Sequence, residues 1–227
     1  MIIGAIDLGT NTFDLLLAQV TDGNLKILYR EKQWVGLGTG LYPSMELQQD
    51  ALHRATQCLI HFNGIAKEYQ ANVLRACGTS ALRDAINGRL WCAEIHEKTG
   101  ISIEVISGIQ EAKRVFSGIK NLSNIPSDGI IMDIGGGSTE LIVFRELQLD
   151  HVFSLDIGVT RLLNALDFNN PLTEEEILRF EMLLSEESKQ LLPTTDTLIG
   201  AAGAFETFFG SYIRNQFQMG FAFPLIG

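Results

Sequence analysis

Four carboxylates and a repeated glycine-rich turn are the parts of this chain best suited to chemistry. Asp7 ends one apolar run and is followed by Gly9-Thr10-Asn11-Thr12. Asp133 ends another and is followed by Gly135-Gly136-Gly137-Ser138. The copies align as Asp7 with Asp133, Gly9 with Gly135, Thr12 with Ser138 and Asp14 with Glu140. Glycine admits positive φ and close backbone approach, so successive turn N–H groups can converge on one anion. The hydroxyls of Thr10, Thr12 and Ser138 add donors. Asp7 and Asp133 offer hard oxygen ligands suited to Mg²⁺. An ordinary β-hairpin with a glycine turn would account for one copy; it accounts less well for two with the same polar residues in register.

Glu111 is the candidate catalytic base. It lies near the start of a helix, after a strand end and Ser107-Gly108, where a carboxylate can orient and deprotonate an attacking water. The plainer reading is a glutamate that complements the helix dipole. Arg83 follows the Gly78-Thr79-Ser80 turn and can clamp phosphate oxygens; the alternative is an ion pair with Asp84 or Glu111. Glu140 is placed to help position water or metal, unless it is an outward strand residue. Asp14, its counterpart, would repel an anion in the turn.

These residues need two similar scaffolds. Strands are expected at 2–7, 13–20, 25–31, 72–76 and 101–106 in the first half, and at 130–134, 140–145, 148–155 and 197–199 in the second. Helical periodicity runs from Leu47 to Tyr69, and helices are expected over 81–99 (weakened by Asn87-Gly88), 111–120 and 158–166. Thr173 and Glu176 form a capping box for a helix reaching about Leu192. Gly78 and Gly200 repeat at nearly the same offset as the two hairpins. The pattern is a duplicated α/β unit, divided in the polar, Pro126-containing segment 121–129. The expected domains are 1–122 and 123–227, with a cleft between them. The second lacks a counterpart of the first domain's last helix. Phe221–Ile226 could supply a strand, which Pro224 would confine to an edge.

The chain has 227 residues and 46% hydrophobic content, enough for two cores. A net charge of −10 argues against a general nucleic-acid binder, which needs a basic surface, though a local cleft can still attract an anion. No apolar run is long enough to span a membrane, and the N-terminus enters a strand with no signal-peptide pattern. Cys58, Cys77 and Cys92 fit neither a zinc nor a disulfide framework. A cytoplasmic protein is expected. The four histidines lack metal-ligand spacing.

The stretches Ala5–Phe13, Gly78–Ala85 with Asn87, Ile106–Ala112 and Met132–Leu141 together resemble the Ppx/GppA family. That family comprises exopolyphosphatases and guanosine pentaphosphate phosphohydrolases of the actin-like ATPase superfold. The resemblance implies two ribonuclease-H-like domains and hydrolysis of a terminal phosphoanhydride with Mg²⁺. Inorganic polyphosphate or a guanosine polyphosphate would be the substrate, and a homodimer is possible. By position, Glu111 matches the family's catalytic glutamate. Asp133 matches its metal-associated aspartate, with Asp7 sharing that task. Gly9, Thr10, Asn11 and Gly135–Ser138 match its phosphate turns, and Arg83 matches an arginine that reaches substrate. The chain departs from the pattern at Asp14, usually basic or His, and at Ala201-Ala202-Gly203-Ala204, where hydroxyls are usual. Family members also commonly run on past this C-terminus. A non-catalytic polyphosphate or alarmone sensor, and an ATPase or kinase of the same superfold, are the competing readings.

Overall fold

A computed structural model describes residues 1–42, 44–165, 171–187, 195–205 and 207. The first sheet contains β1 (Ile2–Leu8), β2 (Thr12–Thr21), β3 (Asn24–Trp34), β4 (Val73–Gly78) and β5 (Ile103–Val105). Its spatial order is β3-β2-β1-β4-β5. The first three strands form an antiparallel meander, and β4 and β5 join in parallel. Parallel joins require crossovers, here made by helices. α1 (Gln49–Glu68) buries Ala51, Ala55, Cys58, Leu59, Phe62, Ile65 and Ala66, the stripe expected of a 3.6-residue repeat. It meets Phe13, Leu15 and Leu17, the inward positions of β2, and Trp91 and Ile95 complete that core.

The single helix expected over 81–99 is in fact two, α2 (Ser80–Asp84) and α3 (Gly88–Thr99). Ala85 turns extended after α2, and the Asn87 side chain exchanges two hydrogen bonds with the Leu47 backbone. A tertiary tether thus replaces helical continuity. α4 (Gly108–Ile119) begins three residues earlier than expected because Ser107 and Gln110 form a reciprocal capping box.

The second sheet repeats the plan. Strands β6 (Gly129–Ile134), β7 (Thr139–Arg145), β8 (Gln148–Leu155) and β9 (Leu198–Ala201) are ordered β8-β7-β6-β9. As in the first sheet, an antiparallel meander comes first; one parallel join follows here, against two there. α4 supplies Ala112 and Phe116 to this sheet's core, against Ile131, Ile142 and Phe144. By packing, therefore, the helix that carries Glu111 belongs with the second sheet. α5 (Val159–Ala165) follows β8, and α6 (Glu174–Glu187) opens with the expected Thr173–Glu176 capping bonds. The expected extension of α6 to Leu192 and the strand at 221–226 lie outside the described residues.

Candidate active site

The two hairpin turns are built alike. Gly9 N–H donates to Thr12 O at 3.0 Å, and Gly135 N–H donates to Ser138 O at 2.9 Å. Strand pairing sets Asp7 opposite Asp14 and Asp133 opposite Glu140. In both turns, neighbouring chain takes up the carbonyl oxygens. Thr10 O accepts from Gly38 N–H, and Asn11 O accepts from the amides of Val35 and Gly36. Gly135 O accepts from Val159 N–H, and Gly136 O from the amides of Thr160 and Arg161. Gly137 O accepts from Arg161 Nε at 2.7 Å.

The turns also face one another. A Cβ at Gly136 would lie 2.8 Å from Thr10 Cβ, and one at Gly137 would overlap the Ser80 hydroxyl. Glycine is needed here because side chains of the first lobe close directly on this backbone and leave no room for another. Thr160 Oγ1 donates to Asn11 Oδ1 at 2.7 Å, and Asn164 Nδ2 donates to Gly38 O at 3.0 Å. The sheets are thus held across a closed cleft.

Glu140 is 1% exposed on β7. Its carboxylate accepts from Ser154 Oγ at 2.9 Å, and burial pushes its pKa up to about 7 against the lowering effect of the Ser154 and Ser138 hydroxyls. Gly108, at the start of α4, packs against Ser154 so closely that a Cβ would overlap it. One helical turn on, Glu111 accepts from Arg83 Nη1 at 3.2 Å, and the same nitrogen donates to Ile106 O at 3.0 Å. Burial first, then the Glu140 charge, pushes Glu111 up to about 8, with Arg83 opposing. Burial raises Asp133 to about 6. Asp7 also reaches about 6, through desolvation and then the charges of Asp14 and Asp133. Asp7 stays open to water on one side while protein crowds the others.

Glu111 and Glu140 therefore influence each other electrostatically, as do Asp7 and Asp133. Arg83 is engaged with Glu111, one of the two ion pairs envisaged from sequence. Asp14 lies 4.0 Å from Arg30 and 3.9 Å from Lys32 on β3, so its unusual charge is met by the adjacent strand. Among the described residues, no three His, Cys, Asp or Glu side chains form a ready cation cage. Mg²⁺ does not require one: it keeps several waters and commonly takes one or two carboxylates plus substrate phosphate. Asp7 and Asp133, both destabilised as anions, fit that donor set.

Sequence reasoning passed over Arg161, the one charged residue of α5. Its Nη2 lies 2.6 Å from Asp84 Oδ2, and its guanidinium stacks 4.4 Å from the Tyr42 ring centroid. A single arginine in an apolar helix just after Gly158 was the available signal. The cysteines do not add chemistry: burial pushes Cys58 up to about 12 and Cys92 to about 11.

Two duplicated lobes with these strand orders, closing over paired glycine turns, define the actin-like ATPase superfold. Residues 16–212 match the model of the Ppx/GppA phosphatase family. The chain belongs to that family, and membership supports a phosphatase role. An exopolyphosphatase from Cytophaga hutchinsonii is 31% identical, with a TM-score of 0.88; the match covers 95% of this chain and 71% of that one. The Aquifex aeolicus member of the family is 28% identical with a TM-score of 0.73, over 93% of this chain and 71% of its own. No described helix is long and apolar enough to cross a membrane.

Proposed function

We propose that the protein removes the terminal phosphate of inorganic polyphosphate or guanosine pentaphosphate by attack of water. The observation that carries this reading is the pairing of Glu111 and Glu140. Both are carboxylates with raised pKa values, Glu111 of α4 half-buried and Glu140 of β7 buried, beside the two facing glycine turns. A carboxylate with a pKa near the working pH is effective in general base catalysis. Glu111, oriented by Arg83, takes the proton from water. Glu140, fixed by Ser154 and Ser138, holds a second acceptor beside it. With the Gly9 and Gly135 amides closing their turns, Thr10, Asn11 and Thr12 from one lobe and Gly136–Ser138 from the other offer N–H and O–H donors to the phosphate chain. Mg²⁺ held by Asp7 and Asp133 would neutralise charge on the transferred phosphoryl group.

Glu111→Gln keeps the shape and an Arg83-facing oxygen while removing the base. It is expected to lower phosphate release by about 10²-fold or more, with far-UV circular dichroism unchanged. Assays on long polyphosphate and guanosine pentaphosphate run in parallel identify the substrate. Wild-type release by the folded variant would refute the assignment of Glu111, and tight binding of either compound by the wild type without release would replace hydrolysis with sensing.

A further inference from the structure

Arg83 and Asp84 are neighbours at the end of α2, a helix seated on the first sheet by Ala81 and Leu82. Their partners belong to the other side: α4 packs on the second sheet, and the amides at the start of α5 are bonded to that sheet's glycine turn. Arg83 bonds to Glu111 of α4 at 3.2 Å, and Asp84 bonds to Arg161 of α5 at 2.6 Å. Each of these ion pairs therefore joins the two lobes. Each lobe also carries a replacement pair. Arg83 Nε is already 4.0 Å from Asp84 Oδ1, and Arg161 Nη2 is 3.3 Å from Asp156 Oδ1. If the lobes part, Arg83 can turn to Asp84 and Arg161 to Asp156, so three of these part-buried groups keep a partner. That matters because removing one partner from a buried pair is costly.

We propose that Arg161 is a positioning residue: on lobe closure it takes Asp84 away from Arg83 and so commits Arg83 to Glu111. The receiving side is preformed. Asp84 Oδ2 accepts from Tyr42 Oη at 2.9 Å and from Ser80 Oγ at 3.1 Å. Tyr42 presents its ring face to the incoming guanidinium, a favourable arrangement for a cation. Ser80 is also the group that fills the space beside Gly137, so Asp84 engages Arg161 only when the glycine turn is seated. The exchange makes the Arg83–Glu111 contact conditional on closure. This coupling to catalysis rests on the role of Glu111 proposed above.

The test compares wild type with Arg161→Met, Arg161→Lys, Asp84→Asn and the Met/Asn double variant. Two readouts are used: steady-state release from long-chain polyphosphate, and small-angle X-ray scattering with and without that polymer. Arg161→Met is expected to lower kcat about tenfold or more while KM changes less than about threefold, and Asp84→Asn to lower it less, because it loses the lobe contact but also removes the competitor for Arg83. The double variant should be no worse than either single, since both break one coupled contact, and Lys should recover part of the loss. The radius of gyration should rise in Arg161→Met and in Asp84→Asn. Losses that multiply in the double variant would overturn the proposal. So would scattering identical to wild type, or a lowered Tm with kcat unchanged, which marks a merely structural bridge. Scattering reads closure without turnover, so a wild type that releases no phosphate would count against the role of Glu111 and leave the lobe contact to be judged on its own.

Discussion

Neutralising Glu140 should stabilise the metal-free protein near pH 8 and destabilise it near pH 4.5. The carboxyl moves from its ordinary 4.5 to about 7 on folding. Because it is 1% exposed, solvent screening does not reduce the cost much. At about 1.4 kcal/mol per tenfold change in proton affinity, keeping it ionised costs the fold about 3 kcal/mol. A group with a higher folded than unfolded pKa holds more protons when folded. Stability therefore falls as pH rises through the window from 4.5 to about 7, and is level outside it. Glu140→Gln removes that fall. The amide keeps an oxygen for Ser154 but brings an N–H₂ group with poorer partners, a penalty of about 1 kcal/mol at any pH. The net expectation is a gain of about 2 kcal/mol near pH 8, or about 4–8 °C in Tm for a chain of this size. Near pH 4.5 the sign reverses to a loss of about 1 kcal/mol. Thermal melts in excess EDTA across this range read the crossover directly. A variant that is less stable than wild type near pH 8, or a gain that does not vary with pH, would refute the reasoning.

Three further outcomes follow from the same geometry. Gly137→Ala places a methyl group against Ser80 and Thr10 at the meeting of the lobes; phosphate release should fall about tenfold or more, with circular dichroism unchanged because each lobe's core is untouched. Arg83→Met removes the charge that holds the Glu111 pKa down, so the acid limb of the pH–rate profile for kcat should move to higher pH and activity should recover in part in alkaline buffer. Added Mg²⁺ should raise Tm more near pH 8 than near pH 5, because protons raised onto Asp7 and Asp133 must leave before a cation binds; Asp133→Asn should remove most of that difference.

Local pattern made most of the scaffold legible. The alternation in Phe13, Leu15 and Leu17 and the stripe from Ala51 to Ala66 report burial directly, and both became core. The duplication was legible because each turn constrains several residue types at once. The break between α2 and α3 was legible only as a weak point at Asn87-Gly88, since the tether that fixes it runs from Asn87 to Leu47, far away in sequence. For the same reason, nothing local to residues 108–119 says that Phe116 packs on Phe144 of the other sheet. In the site, Arg83 and Glu111 were nameable from their turns, whereas the junction of Arg161, Asp84 and Tyr42 exists only once the cleft is folded shut. Asp14 read as an anomaly because its answer, Arg30 and Lys32, sits on a strand whose pairing had to be known first.

On the function proposed above, the glycine turns also account for how an acidic chain would host an acidic guest. Neighbouring backbone takes up the carbonyl oxygens of Thr10, Asn11, Gly135 and Gly136, and Arg161 takes up that of Gly137. A peptide group has two electrical ends, and here the negative ends are spoken for by the scaffold itself. What the turns retain to offer a visitor is their positive ends. The cleft thereby gains a polarity that no count of lysines and arginines would reveal, one that neither pH nor side-chain ionisation can switch off. A net charge of −10 and the polyanionic substrate proposed above are then compatible: charge on the surface would govern the approach, and dipoles locked in the backbone the grip.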